Sequence, residues 1–212
     1  MIDVVTLATA HLFGDALASQ ARLRYRMFVA CRNIDHAYFD GMEYDRFDTP
    51  AAVYLLWRDS GGETRCMTRL LRTTVPYMVK SYWPHLADER DLPSSPDVWE
   101  GTRLCADIAL DRRTRQRALA ELLCGVTEYL ESQGATKLIG VTSRAQAIRL
   151  FPRNLEWLGE DAPIEGRMES AFRIPVPSIA PQGARERYSF GQTVLCMDGR
   201  APEPVEGMWA AA

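Results

Sequence analysis

Residues 51–71 read AAVYLLWRDSGGETRCMTRLL. Ala51–Trp57 is a strand signal, Asp59-Ser-Gly-Gly62 is turn chemistry, and Thr64–Leu71 returns as a second strand, so the segment is a β-hairpin. Downstream of it, Val75–Leu92 carries aromatics and proline without period, and Pro93-Ser-Ser-Pro96 punctuates the chain. Trp99–Leu110 then alternates as a central strand. Arg115–Gln133 puts Leu119, Leu122, Leu123, Val126, Tyr129 and Leu130 on one helical face, with Gly134 as its stop. Lys137–Thr142 is a short strand, a helix follows from Arg144 to about Phe151, and Met168–Val176 and Ser189–Met197 are the last strand candidates. Upstream of the hairpin, residues 9–32 have the spacing of an amphipathic helix, and 33–50 reads as a long ordered loop of the kind that often carries function. This order predicts an α/β (α+β) chain in one domain, 1–212, with a central mixed but mostly antiparallel sheet flanked by helices.

Composition narrows the function. A chain of 212 residues, 47% of them hydrophobic, can bury a core without metal or disulfide staples. Lys+Arg 25 against Asp+Glu 28 lacks the basic excess of a general nucleic-acid binder. No apolar run approaches the roughly 20 residues of a membrane span. The start MIDVVTLATAHLFGDA lacks a basic leader region and meets His and Asp too early for a signal peptide, so the expected location is the cytoplasm. The five cysteines are scattered and form no C-x-x-C pair, so neither a metal site nor a disulfide framework is expected. Cys66, Cys105 and Cys124 sit in apolar runs, as inert buried thiols do.

Charge is concentrated in four places. Arg24 and Phe28 are four apart on one helical face; Glu43, Asp45 and Asp48 share the long loop; Arg69 precedes two leucines in the hairpin; and Glu100-Gly-Thr-Arg103 opens the central strand. These are four carboxylates and three guanidiniums, each of which alone reads as a solvated surface charge. They can equally form an ion-pair lattice that fixes the loop, with Asp48 and Arg69 as its most evident members. On a regular strand, Glu100 and Arg103 point to opposite faces, so a shared site requires Glu100 to precede the strand or a bulge to intervene. Gly101 permits either.

In this order and with these flanks, the residues resemble those of the LuxI-like acyl-homoserine lactone synthases. Arg24-Tyr-Arg-Met-Phe28 stands for R-x-x-x-F, Glu43-Tyr-Asp45-Arg-Phe-Asp48 for E-x-D-x-x-D, Arg69-Leu-Leu-Arg-Thr-Thr-Val-Pro-Tyr-Met78 for R-L-L-P-T-T-x-x-Y-M, and Glu100-Gly-Thr-Arg103 for E-x-S-R. The likeness runs from about 24 to Gly140-Val-Thr-Ser143. It implies a fold like that of the GCN5-related N-acetyltransferases. It also implies an acyltransferase that joins an acyl thioester to S-adenosylmethionine (SAM) and closes a lactone quorum signal, both compounds being co-substrates with no tightly bound cofactor. By this resemblance Arg24, Asp45, Asp48, Arg69 and Glu100 belong to the catalytic set, with Glu100 first and Asp45 second as acceptor of the amine proton. Arg103, Phe28, Asp45 and Arg24 would hold SAM; Phe28 can stack on the adenine or simply be core.

The expected thioester donor is acyl carrier protein or acyl-CoA, met by Arg112, Arg113, Arg115 and Arg117 before the long helix. A solvated charge run is the alternative reading of that cluster, and Arg117-Ala-Leu-Ala lacks the glycines usual in a pyrophosphate turn. Met78, Trp99, Leu122 and Ile148 are candidate acyl-pocket residues, with core packing as their alternative; Thr142 stands where the family often has Thr beside the acyl chain, and by this resemblance its hydroxyl can serve a 3-oxo group, with a plain β-former as the alternative. Ile34 stands where the family commonly has Trp, Leu104 replaces Phe, and Arg72 replaces Pro, which suggests an atypical subgroup. The rival readings are another acyl-CoA-dependent N-acyltransferase and a binding homologue without turnover.

Overall fold

The computed structural model describes residues 1–31, 36–88 and 91–199. Strands β1 (Ile2–Val5), β4 (Val53–Arg58), β5 (Thr64–Arg72), β6 (Val98–Ala106), β7 (Lys137–Thr142), β8 (Glu156–Trp157), β10 (Arg167–Pro175) and β11 (Leu195–Cys196) lie side by side in the order β11-β1-β4-β5-β6-β7-β10-β8. Strand β9 (Ala162–Ile164) pairs with β10, and β2 (Tyr38–Phe39) with β3 (Met42–Glu43) makes a separate ribbon in the long loop. The β1–β11 and β6–β7 pairs are parallel and the others antiparallel.

The central strands are buried on both faces, which is why Ala52–Leu56 is a continuous apolar run. Val53 and Leu55 pack in the cluster beneath helix α3 (Arg112–Ser132), with Leu122, Leu123 and Val126. Tyr54 and Leu56 face the cluster beneath α1 (Ala16–Arg24), with Leu23, Met27 and Phe28. Helix α3 begins three residues before the expected Arg115 because Asp111 caps it, accepting from the backbone N–H of Arg113 at 2.9 Å and Thr114 at 3.1 Å.

Other expectations shift. The predicted helix over 9–32 is a 3-10 turn (Ala10–Leu12), then α1, then a π-helical turn over Tyr25–Ala30. The irregular stretch before Pro93 contains α2 (Met78–Tyr82). Helix α4 (Arg144–Leu150) lies as expected, while most of 189–197 is not strand, following the short α5 (Ala184–Tyr188). No helix among the described residues is long and apolar enough to cross a membrane.

Two irregularities shape the molecule's centre. Strands β6 and β7 pair only from Val98–Glu100 to Lys137–Ile139 and then part. In β6, Thr102 faces Arg69 and Cys105 faces Met67, so Arg103 and Leu104 together oppose Thr68: a bulge, with Arg103 at φ 57°.

Candidate active site

The charged positions from α1, the long loop, β5 and β6 meet in one lattice. Arg24 donates through Nε to Glu43, and through its two terminal nitrogens to Asp48 at 2.7 and 3.0 Å. Arg69 grips Asp45 with two bonds, 2.6 and 2.9 Å, reaches Asp48 at 2.8 Å, and bonds Thr102 Oγ1 through Nε. Arg103 Nη2 donates to Glu43 at 2.9 Å and Asp45 at 2.7 Å. The loop ties itself in: the Asp45 N–H bonds Asp48, the Phe47 N–H bonds Asp45, and the Tyr54 hydroxyl bonds Asp48. Three guanidiniums thus face three carboxylates in bidentate and shared bonds of the strong kind.

Arg24, Arg69 and Glu43 are sealed from solvent. Burial alone would raise Glu43 and Asp48, but the surrounding hydrogen bonds and the charges of Arg24, Arg69 and Arg103 win. Glu43 is held down to about 2, and Asp48 well below the usual carboxylate range. Arg103 differs from the other two arginines. Its Nε is buried without a partner among the described residues, and Nη1 has only Met78 Sδ at 4.0 Å. These two nitrogens make Arg103 the member of the lattice with unused capacity for an anion.

Where β6 and β7 part, a cavity of about 170 Å³ runs through the sheet, bordered by Phe28 and Met78 from one face and by Leu123 and Val126 of α3 from the other. Arg103, Glu100 and Thr142 also line it. The bulge turns Arg103 to the same opening as Glu100, although the two are three residues apart; its guanidinium lies 5.4 Å from the Phe28 ring centroid. Gly140 lets the strands sit this close, since a Cβ there would stand 2.9 Å from the Phe172 ring.

Glu100 is 1% exposed, and its two oxygens accept the N–H groups of Met78 at 2.8 Å and Val79 at 2.7 Å, the first turn of α2. Burial raises its pKa to about 7, against those two bonds and the charge of Arg69. Two of its four acceptor positions remain, so it can receive a proton at neutral pH from a group in the cavity.

The autoinducer synthase family pattern matches residues 12–157, more than half of the chain. The chain belongs to the autoinducer synthase family. It is 34% identical over 146 residues to the isovaleryl-homoserine lactone synthase of Bradyrhizobium diazoefficiens, an alignment covering 66% of this chain and 63% of that protein. An acyl-homoserine-lactone synthase of Pseudomonas aeruginosa is 30% identical over 190 residues, 86% of this chain and 90% of that one. The solved structure of BjaI, a CoA-dependent acyl-homoserine lactone synthase with SAM and isopentyl-CoA, superposes with a TM-score of 0.82 at 27% identity, covering 95% of this chain and 94% of that one. An N-acetyltransferase structure from Lactobacillus plantarum, at 16% identity and TM-score 0.56, shares the fold.

Against this autoinducer synthase frame, the sequence-predicted residues divide. Arg103, Phe28, Glu100, Thr142 and Met78 line the cavity, whereas Arg24, Asp45, Asp48 and Arg69 stand behind Arg103 and do not line it. Three of the residues expected in an acyl pocket do not line this cavity. Trp99 points away from Glu100 and packs edge-on against Tyr129; Leu122 is core; Ile148 is 56% exposed. The cavity wall is formed instead by Leu123, Val126, Leu150 and Phe151, set by the helical phase of α3 and by the end of α4. Sequence reasoning also missed His36, whose Nδ1 lies 3.3 Å from Glu43 and Nε2 3.4 Å from Glu165, and Glu169 and Gln146, all on the cavity wall. No period or motif marks His36, Glu165 or Glu169, because they arrive from a loop and the β9–β10 hairpin.

Of the basic cluster, Arg112, Arg113 and Arg117 are exposed and make no ion pair among the described residues, and Arg115 reaches the Ile108 carbonyl. Arg113 and Arg117 share a surface hollow with Arg187 of α5. Arg72, in place of proline, bonds the Pro96 carbonyl and Gln133 and covers Trp99 at 4.7 Å, so it serves as a clamp outside the cavity. Leu104 lines the cavity in place of the family's Phe. Ile34 lies outside the described residues.

Proposed function

We propose that this chain is an acyl-homoserine lactone synthase acting in the cytoplasm on SAM and an acyl-CoA thioester. The observation that carries the reading is the cavity through the sheet, where the unpaired Nε and weakly held Nη1 of Arg103 and the carboxyl of Glu100 border a chamber with an apolar side. SAM carries a carboxylate, an ammonium and a sulfonium. Arg103 receives the carboxylate, Phe28 and Met78 enclose the neighbouring chain, and Glu100 takes the ammonium proton. An α-ammonium titrates near pH 8, so about a tenth is free amine at pH 7, a cost of about 1.4 kcal/mol. A carboxyl poised near 7 suffices to accept that proton.

The amine nitrogen then attacks the thioester carbonyl. The amide C–N bond forms, the C–S bond breaks, and the thiol leaves. The SAM carboxylate attacks the carbon attached to sulfonium, forming the ester C–O bond of the lactone and releasing methylthioadenosine. Arg24, Arg69, Asp45, Asp48 and Glu43 are positioning residues that hold Arg103 and its bulge. The exposed arginines 112, 113 and 117, with Arg187, offer the donor's phosphates a basic rim. The similarity to CoA-dependent synthases favours coenzyme A over a carrier protein as the donor's handle.

The test incubates purified protein with SAM and matched panels of acyl-CoA and acyl-carrier-protein thioesters, following methylthioadenosine and identifying the product by mass. Lactone with methylthioadenosine from acyl-CoA is expected. Acylation of some other amine without methylthioadenosine, or no turnover with any donor, would refute the reading.

A further inference from the structure

Past Glu100 and Ile139, β6 and β7 no longer pair, so the ladder does not hold the two sides of the cavity together. The β9–β10 hairpin stands on the β7 side. Its turn, Glu165-Gly166, has φ 48° and 75°, the two-residue form that keeps a hairpin tight. Its base is pinned on that side, where Asp161 accepts from Arg144 and from Ser170 Oγ at 2.8 Å. Its tip reaches across. Glu165 Oε1 lies 3.4 Å from His36 Nε2, and Nδ1 of the same ring lies 3.3 Å from Glu43 Oε1 in the lattice. His36, with its side chain 14% exposed, lines the cavity, and its ring centroid is 6.3 Å from that of Phe28. Both of its contacts exceed the usual N–H···O range of about 2.7–3.2 Å, and the buried Nδ1 makes no hydrogen bond among the described residues.

From this we infer that His36 is a positioning residue, a latch that joins the tip of the β9–β10 hairpin to the charge lattice and closes the cavity's mouth over bound SAM. The inference rests on the SAM-binding part of the function proposed above and deepens it. Glu43 and Glu165 are both acceptors, so the ring bonds the two together only as imidazolium, donating from each nitrogen. The charged groups around it are Glu43, with Arg24 and Arg103 behind that carboxylate, and Glu165, Arg167 and Glu169 of the hairpin. A small approach of the hairpin turns two loose contacts into charge-assisted bonds and satisfies the buried Nδ1. SAM favours that approach because its cavity is bordered from both sides, by Phe28 and Arg103 on one and by Ile164 and Glu169 on the other. Closure then shuts water out of the place where the amine is deprotonated.

The experiment measures the SAM dissociation constant by calorimetry, and amide hydrogen exchange over residues 162–169 with and without SAM. The wild type is compared with His36→Leu, Glu165→Ala and the double variant. Each single change should raise the dissociation constant by about five- to tenfold, and the double variant no further, because the two side chains form one link. SAM should slow exchange over 162–169 in the wild type and leave it unslowed in either single variant. A merely structural role would instead shift exchange equally with and without SAM. Glu165 lies at an exposed turn, so Glu165→Ala keeps the test readable even if His36→Leu folds poorly. Single variants that bind SAM as tightly as the wild type, effects that multiply in the double variant, or protection by SAM that survives in Glu165→Ala would each overturn the latch alone. A wild type that binds no SAM would overturn the acyl-transfer reading and the latch with it.

Discussion

Glu100→Gln tests two roles of one side chain at once. The carboxylate caps α2 from across the sheet, where Tyr77 supplies no side-chain cap of its own. Glutamine keeps one acceptor and turns an NH2 toward the other N–H, a buried mismatch that costs about 1–3 kcal/mol. Against this stands the pKa of Glu100, raised by burial from 4.5 to about 7. Below the unfolded value, both states are protonated and the group adds no pH dependence. Between 4.5 and 7 the native state holds a proton that the unfolded chain has lost. Stability therefore falls as pH rises, by about 1.4 kcal/mol per pH unit. From pH 5 to 8 the wild type should lose about 2–3 kcal/mol at this residue, and the variant none. Urea unfolding of both proteins at the two pH values gives a difference of differences in which the constant mismatch cancels. The variant should be less stable than wild type at pH 5 and gain on it by about 2–3 kcal/mol at pH 8. A gain below about 1 kcal/mol would mean that the carboxyl ionises as it does in water. That result would also remove the reason for casting it as an acceptor matched to neutral pH. In the same preparations, turnover should fall while SAM affinity, read by calorimetry, changes little.

Arg24→Met should destabilise the fold by about 3–5 kcal/mol in urea unfolding, because Glu43 and Asp48 stay buried without their main cation; a loss under 1 kcal/mol would show that the lattice relaxes. Glu43 and Asp48 have folded pKa values below their ordinary ones, so their contribution is present above about pH 4.5 and declines as pH falls toward 2. Asp48→Asn should accordingly flatten the acid limb of stability by close to one proton, and an unaltered slope would count against the depression of Asp48. Arg103 holds φ 57°, so Arg103→Gly should be more stable than Arg103→Ala by about 1 kcal/mol. Both should weaken SAM binding alike, and an unchanged dissociation constant would exclude Arg103 as the carboxylate contact.

Much of the fold was legible because its signals are local. The hairpin about Asp59–Gly62, the apolar face of α3 and the run Lys137–Thr142 each carry their period within the element itself. Strand β1 was not legible: four residues form a strand because β4 and β11 flank them, which is a tertiary fact. Which residues line the cavity was illegible for the same reason. Leu122 and Leu123 differ by about 100° around α3, and periodicity alone does not say which of two neighbouring stripes meets the gap between β6 and β7. Ile148 faces solvent while Gln146 and Leu150, four apart, face the cavity. The bulge was required by the chemistry of Glu100 and Arg103 but sits at Arg103, not at Gly101, where glycine's freedom would have suggested it.

That placement bears on how the charges work. Three guanidiniums and three carboxylates pair off behind the cavity, so the lattice has no net charge to offer a substrate as a whole. A lattice of this kind, closed and buried, adds little stability over an apolar core of the same volume, but it fixes geometry. What it fixes here is a non-glycine residue in a left-handed conformation at a bulge, with its Nε unpaired and its Nη1 held only by the Met78 sulfur. Removing the lattice and removing Arg103 should therefore damage SAM binding by different routes. Variants at Arg24 or Arg69 should lose affinity in step with stability, whereas Arg103→Gly, which unpairs Glu43 and Asp45 but also relieves the left-handed backbone, should lose affinity out of proportion to its loss of stability. A lattice variant that remained as stable as wild type yet bound no SAM would place Arg24 or Arg69 in contact with the substrate, and would refute the division of labour argued from their burial.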